Sequence, residues 1–329
     1  MPVFHPTNGR EGKTATLFSR CLFTLTLCGG GFAPRHLNRS AASFNDYISR
    51  ISTGDCVKRF QLIEIEDQTW LPNSVRDALT DYLQFMTYHT QPYAPIVPQL
   101  ERAFEQTNAR RIVDLCSGGA GPWLSLYPAL QQSGSMRVLL TDKFPNVQAF
   151  QRAGFLSNGA LEFIAESVDA TDVPDDVVGF RTLFASFHHF SPAQAHAILS
   201  DAVEKRQGIG VFEATHRSAL AILLMFLTPL LVLIFTPFIR PFRPSRLLWT
   251  YVVPVVPFVV LFDGIVSCLR TYNPTELQVL TAELSSGTQY QWEIGEQRAE
   301  RAPLPVTYLL GYPTAAEQII GREGETATL

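Results

Sequence analysis

Between residues 110 and 143 the chain reads Arg-Arg-Ile-Val-Asp-Leu-Cys-Ser-Gly-Gly-Ala-Gly-Pro-Trp, then a helix-like stretch, then Met-Arg-Val-Leu-Leu-Thr-Asp-Lys. Few folds accept that order. Two short apolar runs each end in an acid, Asp114 and Asp142, and glycines at 118, 119 and 121 follow the first. Short runs without alternation suit strands buried on both faces of a sheet. Glycine lets the backbone approach a ligand where a side chain would clash. An acid just past the second strand suits the hydroxyls of a ribose. The segment therefore reads as a cradle for a nucleoside cofactor.

The following residues extend the same pattern. Residues 161–165 form a strand candidate, and Asp169 lies in the loop after it. The apolar run 181–187 ends at His188-His189-Phe190. Ser191 and Pro192 then supply an N-cap and a first-turn proline for a helix to about residue 206. A further strand over 208–213 ends in Glu213. Strand and helix alternating at this spacing predict a parallel sheet with helices on both faces. A ligand in such a sheet lies at the carboxyl ends of the strands. Asp114, Asp142, Asp169, His188 and Glu213 all fall at such ends.

The glycine turn and its two acids resemble motif I and the partner acid of the class I S-adenosylmethionine-dependent methyltransferases. That family's Asp-x-Gly-x-Gly-x-Gly maps onto Asp114 and, at the middle glycine, Gly118; Cys116 and Ala120 replace the outer two. The Gly-x-Gly-x-x-Gly spacing of a dinucleotide fold is absent, because Leu124 follows Gly119 and Gly121 at the third place. The resemblance implies an α/β, Rossmann-like, mostly parallel seven-stranded sheet with helices on both faces. Its last, antiparallel pair would be residues 290–294 and 306–310. It also implies an enzyme with S-adenosylmethionine as cofactor. Asp142 would take the ribose and Asp169 the adenine amine, with Asp114, Cys116, Gly118, Gly119, Gly121, Ala170 and Ser186 lining the same site.

Methyl transfer from a sulfonium is an in-line displacement that depends on alignment. A base is needed only when the acceptor must lose a proton. His188 and His189 are the candidates, since imidazole titrates near neutral pH. At a strand end, one of two neighbours should face the cleft and the other the protein. Glu213 either orients the acceptor or a histidine, or pairs with His216 or Arg217. Cys116 reads as a small packing residue, and Trp123 as packing at the start of its helix.

The remaining chain divides by composition. Net charge is −4 and no basic stripe carries interleaved aromatics, so no nucleic-acid partner is expected. The five cysteines are scattered, no pair has metal-ligand spacing, and no metal is expected. Residues 1–40 read as a floppy extension, 41–104 as a helical cap, 105–216 and 270–312 as the methyltransferase domain, and 313–329 as a tail.

Residues 217–269 form a hydrophobic insert. Two uncharged runs, 218–239 and 247–269 (Asp263 apart), are long enough to span a membrane, and Arg240, Arg243 and Arg246 lie between them. A two-pass hairpin would put those arginines outside, against the positive-inside tendency, and Pro229, Pro237, Pro254 and Pro257 would interrupt it. A hairpin lying on the cytosolic membrane face, arginines at anionic headgroups, is the expectation. True spanning and a soluble buried lid are the alternatives. The insert favours an apolar small-molecule or lipid-like acceptor. A non-catalytic scaffold that recruits a partner through the hairpin is the competing function.

Overall fold

The computed structural model describes residues 58–131, 136–284, 290–300 and 302–314. The expected extension over 1–40, the first part of the cap and most of the tail lie outside the described residues. The first helices among the described residues are α1 (Asn73–Thr90) and α2 (Val97–Thr107), joined by a 3-10 turn. Then follow β1 (Arg111–Asp114), α3 (Trp123–Leu130), β2 (Arg137–Leu140), α4 (Val147–Leu156), β3 (Leu161–Phe163) and β4 (Phe180–Phe184). After α5 (Pro192–Glu204) and β5 (Ile209–Glu213) comes the insert. It holds α6 (Ala219–Met225), α7 (Thr228–Phe235), the short α8 (Pro244–Leu247) and α9 (Val255–Arg270). The chain returns through α10 (Pro274–Ala282) to β6 (Tyr290–Gln297) and β7 (Val306–Pro313).

The seven strands form one sheet in the order β3-β2-β1-β4-β5-β7-β6. All pairings from β3 to β5 are parallel, while β7 runs antiparallel to both β5 and β6. The order reverses between β1 and β4, where Asp114 pairs with both Leu140 and Thr182. Such a switch point opens a crevice at the carboxyl ends of the strands.

Strand alternation divides the core. Ile112, Phe180, Phe184 and Phe212 face α2, α3 and α4, whereas Val113, Leu183 and Val211 face α5 and α10. Two predicted helix starts carry full capping boxes, Ser191 with Gln194 and Asn273 with Glu276, each with proline at the first helical position.

The insert breaks where proline removes a helical donor. Pro229 starts α7, Pro237 sits in a 3-10 turn, and Pro254 precedes a bend of 76° into α9, whereas Pro257, expected to interrupt as well, sits in the first turn of α9 without breaking it. One face docks on the cap: Val232, Ile239, Val256, Val259 and Val260 pack against Leu71, Val75, Leu79 and Tyr82. The arginines between the two runs do not reach out for headgroups as expected. Arg243 pairs with Asp77 at 3.1 Å, and buried Arg246 pairs with Asp81 and donates to the Ile239 carbonyl at 3.0 Å. The acids on α1 supply the partners of both side chains. Arg240 stays exposed.

Candidate cofactor cradle and histidine cluster

The turn after β1 keeps a glycine-like backbone at positions that are not glycine. Cys116 and Ala120 lie at φ 57° and 81°, beside Gly118 at 52° and Gly121 at 51°. A non-glycine residue there carries a strain of roughly 1–3 kcal/mol, held in place by its surroundings. The surroundings are visible. Ser117 Oγ donates to the Asp114 carbonyl at 2.8 Å, and Ser117 N donates to the Thr141 carbonyl at 2.9 Å. Ala120 N and Gly121 N both donate to the Ser117 carbonyl.

Asp142 closes the turn from the end of β2, accepting from Gly118 N at 2.9 Å and Phe144 N at 2.8 Å. Its carboxylate thus lies against the glycine turn, as the sequence predicts, and each oxygen retains accepting capacity. A side chain at Gly118 would project into open space.

Other predicted residues also make contacts within the protein. Asp114 is buried and accepts from Thr182 Oγ1 at 2.7 Å; burial pushes its carboxyl up to about 6. A Cβ at Gly119 would lie 2.8 Å from Thr80 Cγ2, and Gln84 of α1 donates to the Gly119 carbonyl. The missing side chain at Gly119 therefore lets the cap helix approach the turn. Ala170 packs in the core with Val168 and Val173. Asp169 is held by Lys143 at 2.7 Å and by the Thr171 N–H and hydroxyl, and the Lys143 ammonium lowers its carboxyl to about 2. An adenine amine would have to share that carboxylate with Lys143.

Cys116 is half-buried beside Ser186, and desolvation raises its thiol far above the ordinary range, which fits a packing residue. Trp123 is fully buried, edge-on to Phe184.

The histidines lie beyond the end of the strand. β4 stops at Phe184, Ala185 turns at φ 47°, and Phe187–His189 forms a 3-10 turn. Alternation to opposite faces holds only in a strand. In the turn the two rings lie 4.4 Å apart and both face Glu64.

His188 is 2 % exposed; its Nδ1 lies 2.8 Å from Glu213 Oε2 and its backbone N donates to Glu213 Oε1 at 3.1 Å. Of the alternatives for Glu213, the histidine wins. Arg217 pairs with Glu276 at 3.0 Å and His216 with Glu296 at 3.2 Å.

His189 keeps an exposed edge, with Nδ1 at 3.1 Å from Asp67 Oδ2. Arg270 braces the turn, donating to the carbonyls of His188 and His189 while lying 3.4 Å from both Glu64 and Asp67. Asp263 accepts from Ile65 N at 2.7 Å and Glu66 N at 2.9 Å, tying residues 64–67 to α9. Burial, then the Asp263 charge, pushes Glu66 up to about 7.

Glu64, Asp67 and Arg270 were invisible in the sequence. Glu64 sits in Leu-Ile-Glu-Ile-Glu-Asp, a stretch with no local signature, and reaches His188 only through the fold.

A surface depression lined by Arg110, Arg111, Gly179 and Gly208 lies at the opposite, amino ends of the strands and holds none of these residues.

No family model and no curated protein matches the sequence. Among solved structures the chain is similar to an O-methyltransferase, NcsB1, from neocarzinostatin biosynthesis, in complex with S-adenosylmethionine and 2-hydroxy-5-methyl naphthoic acid. Identity is 15 %, coverage 73 % of this chain and 58 % of that one, and the TM-score 0.41. The pyocyanin biosynthetic protein PhzM follows at 15 % identity, 69 % and 56 % coverage and a TM-score of 0.39. A protein described as a putative zinc-dependent alcohol dehydrogenase from Rhodobacter sphaeroides gives 10 %, 72 % and 98 %, and 0.42. The chain thus spans less than three fifths of the first two. Scores this low leave the fold to be read from the sheet itself. Parallel β3-β2-β1-β4-β5 closed by the antiparallel β7-β6 pair is the Rossmann-like, seven-stranded sheet of the class I methyltransferase fold.

Proposed function

We propose that this chain is an enzyme that transfers a methyl group from S-adenosylmethionine to an apolar small-molecule or lipid-like acceptor, at the cytosolic face of a membrane. One observation carries the cofactor: the strained turn at 116–121 is anchored by Asp142 and leaves Gly118 open at the switch point. Gly118 and its neighbours would receive the cofactor along bare backbone, and Asp142 would accept from ribose hydroxyls. When bound, S-adenosylmethionine supplies an electrophilic methyl group. The chain's own residues then align the acceptor and exclude water.

The acceptor end lies at the carboxyl ends of β4 and β5. Glu213 fixes the ring of His188 through Nδ1, and His189 presents the more accessible imidazole edge. His189 is therefore the group placed to meet an acceptor proton, with Asp67 orienting it.

The insert supports the apolar acceptor and the membrane. Leu223, Phe226, Leu230, Phe238 and Phe258 are all more than half exposed on the face away from the cap. An apolar surface of this extent marks an interaction site. The opposite face is docked on α1, so attachment without crossing is the reading favoured here. Ala219–Phe238 is long and apolar enough to cross, and that remains the reading to test against.

Titration calorimetry with S-adenosylmethionine tests the cofactor assignment. Hydrogen bonds to a charged group contribute roughly 1.5–3 kcal/mol each, so Asp142→Ala should weaken binding about tenfold or more. Asp142→Asn, which keeps an acceptor for Gly118 N–H, should fall between. Equal affinity in all three proteins would remove the ribose role. Incubating the pure protein with labelled S-adenosylmethionine and a host lipid and metabolite extract then identifies the acceptor. Binding without label transfer to any fraction would favour a scaffold.

A further inference from the structure

We propose that Glu64, His188 and His189 form a binding site for one divalent cation of the zinc class, which clasps the segment before α1 onto the turn after β4. The three ligand atoms lie within 4.8 Å of one another. Glu64 Oε1 is 3.7 Å from His188 Nε2, and Glu64 Oε2 is 3.5 Å from His189 Nε2. These separations are too long for good hydrogen bonds. They are close to the spacing of two ligands on one tetrahedral zinc, about 3.4 Å for metal–ligand bonds of about 2.1 Å.

A second, independent observation points the same way. His188 Nε2 is buried and has no hydrogen-bond partner among the described residues. Buried polar atoms are ordinarily satisfied, and each exception requires an explanation. Here the bare nitrogen faces the Glu64 carboxylate.

The second shell is in place. Each histidine's Nδ1 is engaged by a carboxylate, Glu213 for His188 and Asp67 for His189, leaving each Nε2 as the ligating atom. Carboxylate–histidine–metal arrangements fix the ring and raise ligand basicity in this way.

Charge agrees as well. The carboxylates of Glu64, Asp67 and Glu213 meet one guanidinium, Arg270, in the contacts of this cluster. The buried carboxylates Glu64 and Glu213 thus outnumber the buried guanidinium of Arg270, an imbalance that a bound cation would offset. Arg270 lies 3.4 Å from Glu64 Oε1 and would have to share that carboxylate with the metal. Buried charges persist only when paired or coordinated. The exposed edge of His189 leaves a path for entry.

Zinc titration of the full-length, metal-stripped protein against a chromophoric chelator tests the site, with no S-adenosylmethionine present. Failure here therefore leaves the methyl-transfer reading intact, whereas a bound metal would occupy the His189 Nε2 that otherwise meets an acceptor proton and leave the cofactor assignment untouched. The expected result is one zinc per chain, weakened about hundredfold or more in His188→Ala and Glu64→Gln. Glu213→Gln should weaken it about tenfold or more through the ring it orients. Circular dichroism of each metal-free variant checks its fold. Should a variant fail to fold, Co2+ on the wild-type protein decides: intense visible bands of a four-coordinate N/O site support the proposal. A wild type that cannot compete with the chelator, or zinc bound equally by Glu64→Gln, overturns it. So does a cobalt spectrum matching the hydrated ion.

Discussion

β4 and β5 are buried along their whole length, while the more hydrophobic helices α6 and α7 bury only Ala221 and Val232 fully. The two regions are both apolar, yet their fates are opposite. The strands sit between two helical layers, so every side chain finds a protein neighbour. The helices have one layer beneath them, α9 with the cap behind it, and their other face has none. Only 17 % of the most apolar window in Ala219–Phe238 is buried. Hydrophobicity states what a segment wants to leave, which is water, and the layers around it decide where it goes.

If the exposed face of the insert is a membrane surface, changing it should abolish attachment and leave the fold alone. Phe226 and Phe238 are 59 % and 64 % exposed. Burying one such side chain stabilises by about 1.5–3 kcal/mol. Phe226→Ser with Phe238→Ser should therefore lower partition into anionic vesicles about hundredfold or more, read by sedimentation. The unfolding midpoint should stay put, since neither side chain supports the core. An unchanged partition would make the face a lid or protein interface instead.

The docked face should behave in the reverse manner. Asp81→Ala leaves the buried Arg246 without its carboxylate. Breaking a buried pair from one side costs about 3–5 kcal/mol, and chemical denaturation should show a loss near the lower figure. A loss under about 1 kcal/mol would mean that the insert is only loosely held on α1.

The cradle differs from both in storing cost rather than shedding it. Asp114 has a native carboxyl raised to about 6 by burial, above the 3.8 of an unhindered aspartate. The native state therefore holds this proton more tightly than the unfolded chain. Its favourable contribution is complete below about pH 4 and is lost as pH rises through about 6. Relative to Asp114→Asn, which keeps an acceptor for Thr182, the wild type should lose on the order of 2 kcal/mol between pH 4 and pH 7. Parallel stability profiles for the two proteins would show that the acid is not buried in its charged form.

The smallest effect concerns turn strain. Cys116→Gly releases a left-handed non-glycine residue, worth roughly 1–2 kcal/mol, against a glycine entropy cost of roughly 0.5–1 kcal/mol. A gain under about 1 kcal/mol in thermal unfolding is expected. A marked loss would mean that the thiol's packing beside Ser186 outweighs the backbone strain.

Local sequence determined the parts governed by near neighbours. Apolar runs ending in acids became β1 and β2, Ser191-Pro192 and Asn273-Pro274 became capped helix starts, and Asp142 came to lie against the glycine turn. Prolines fixed the breaks of the insert because a missing N–H acts at its own position. Even Cys116 and Ala120 took the backbone expected of glycine, since the hydrogen bonds around them dictate the turn.

Tertiary structure alone decided the rest. That Gly119 admits Thr80, that Arg243 and Arg246 answer Asp77 and Asp81, and that Glu64 meets both histidines are contacts between segments far apart in the chain. No periodicity records such partners. A charge or a small residue shows in the sequence only that something must satisfy it, and packing of the layers chooses what does.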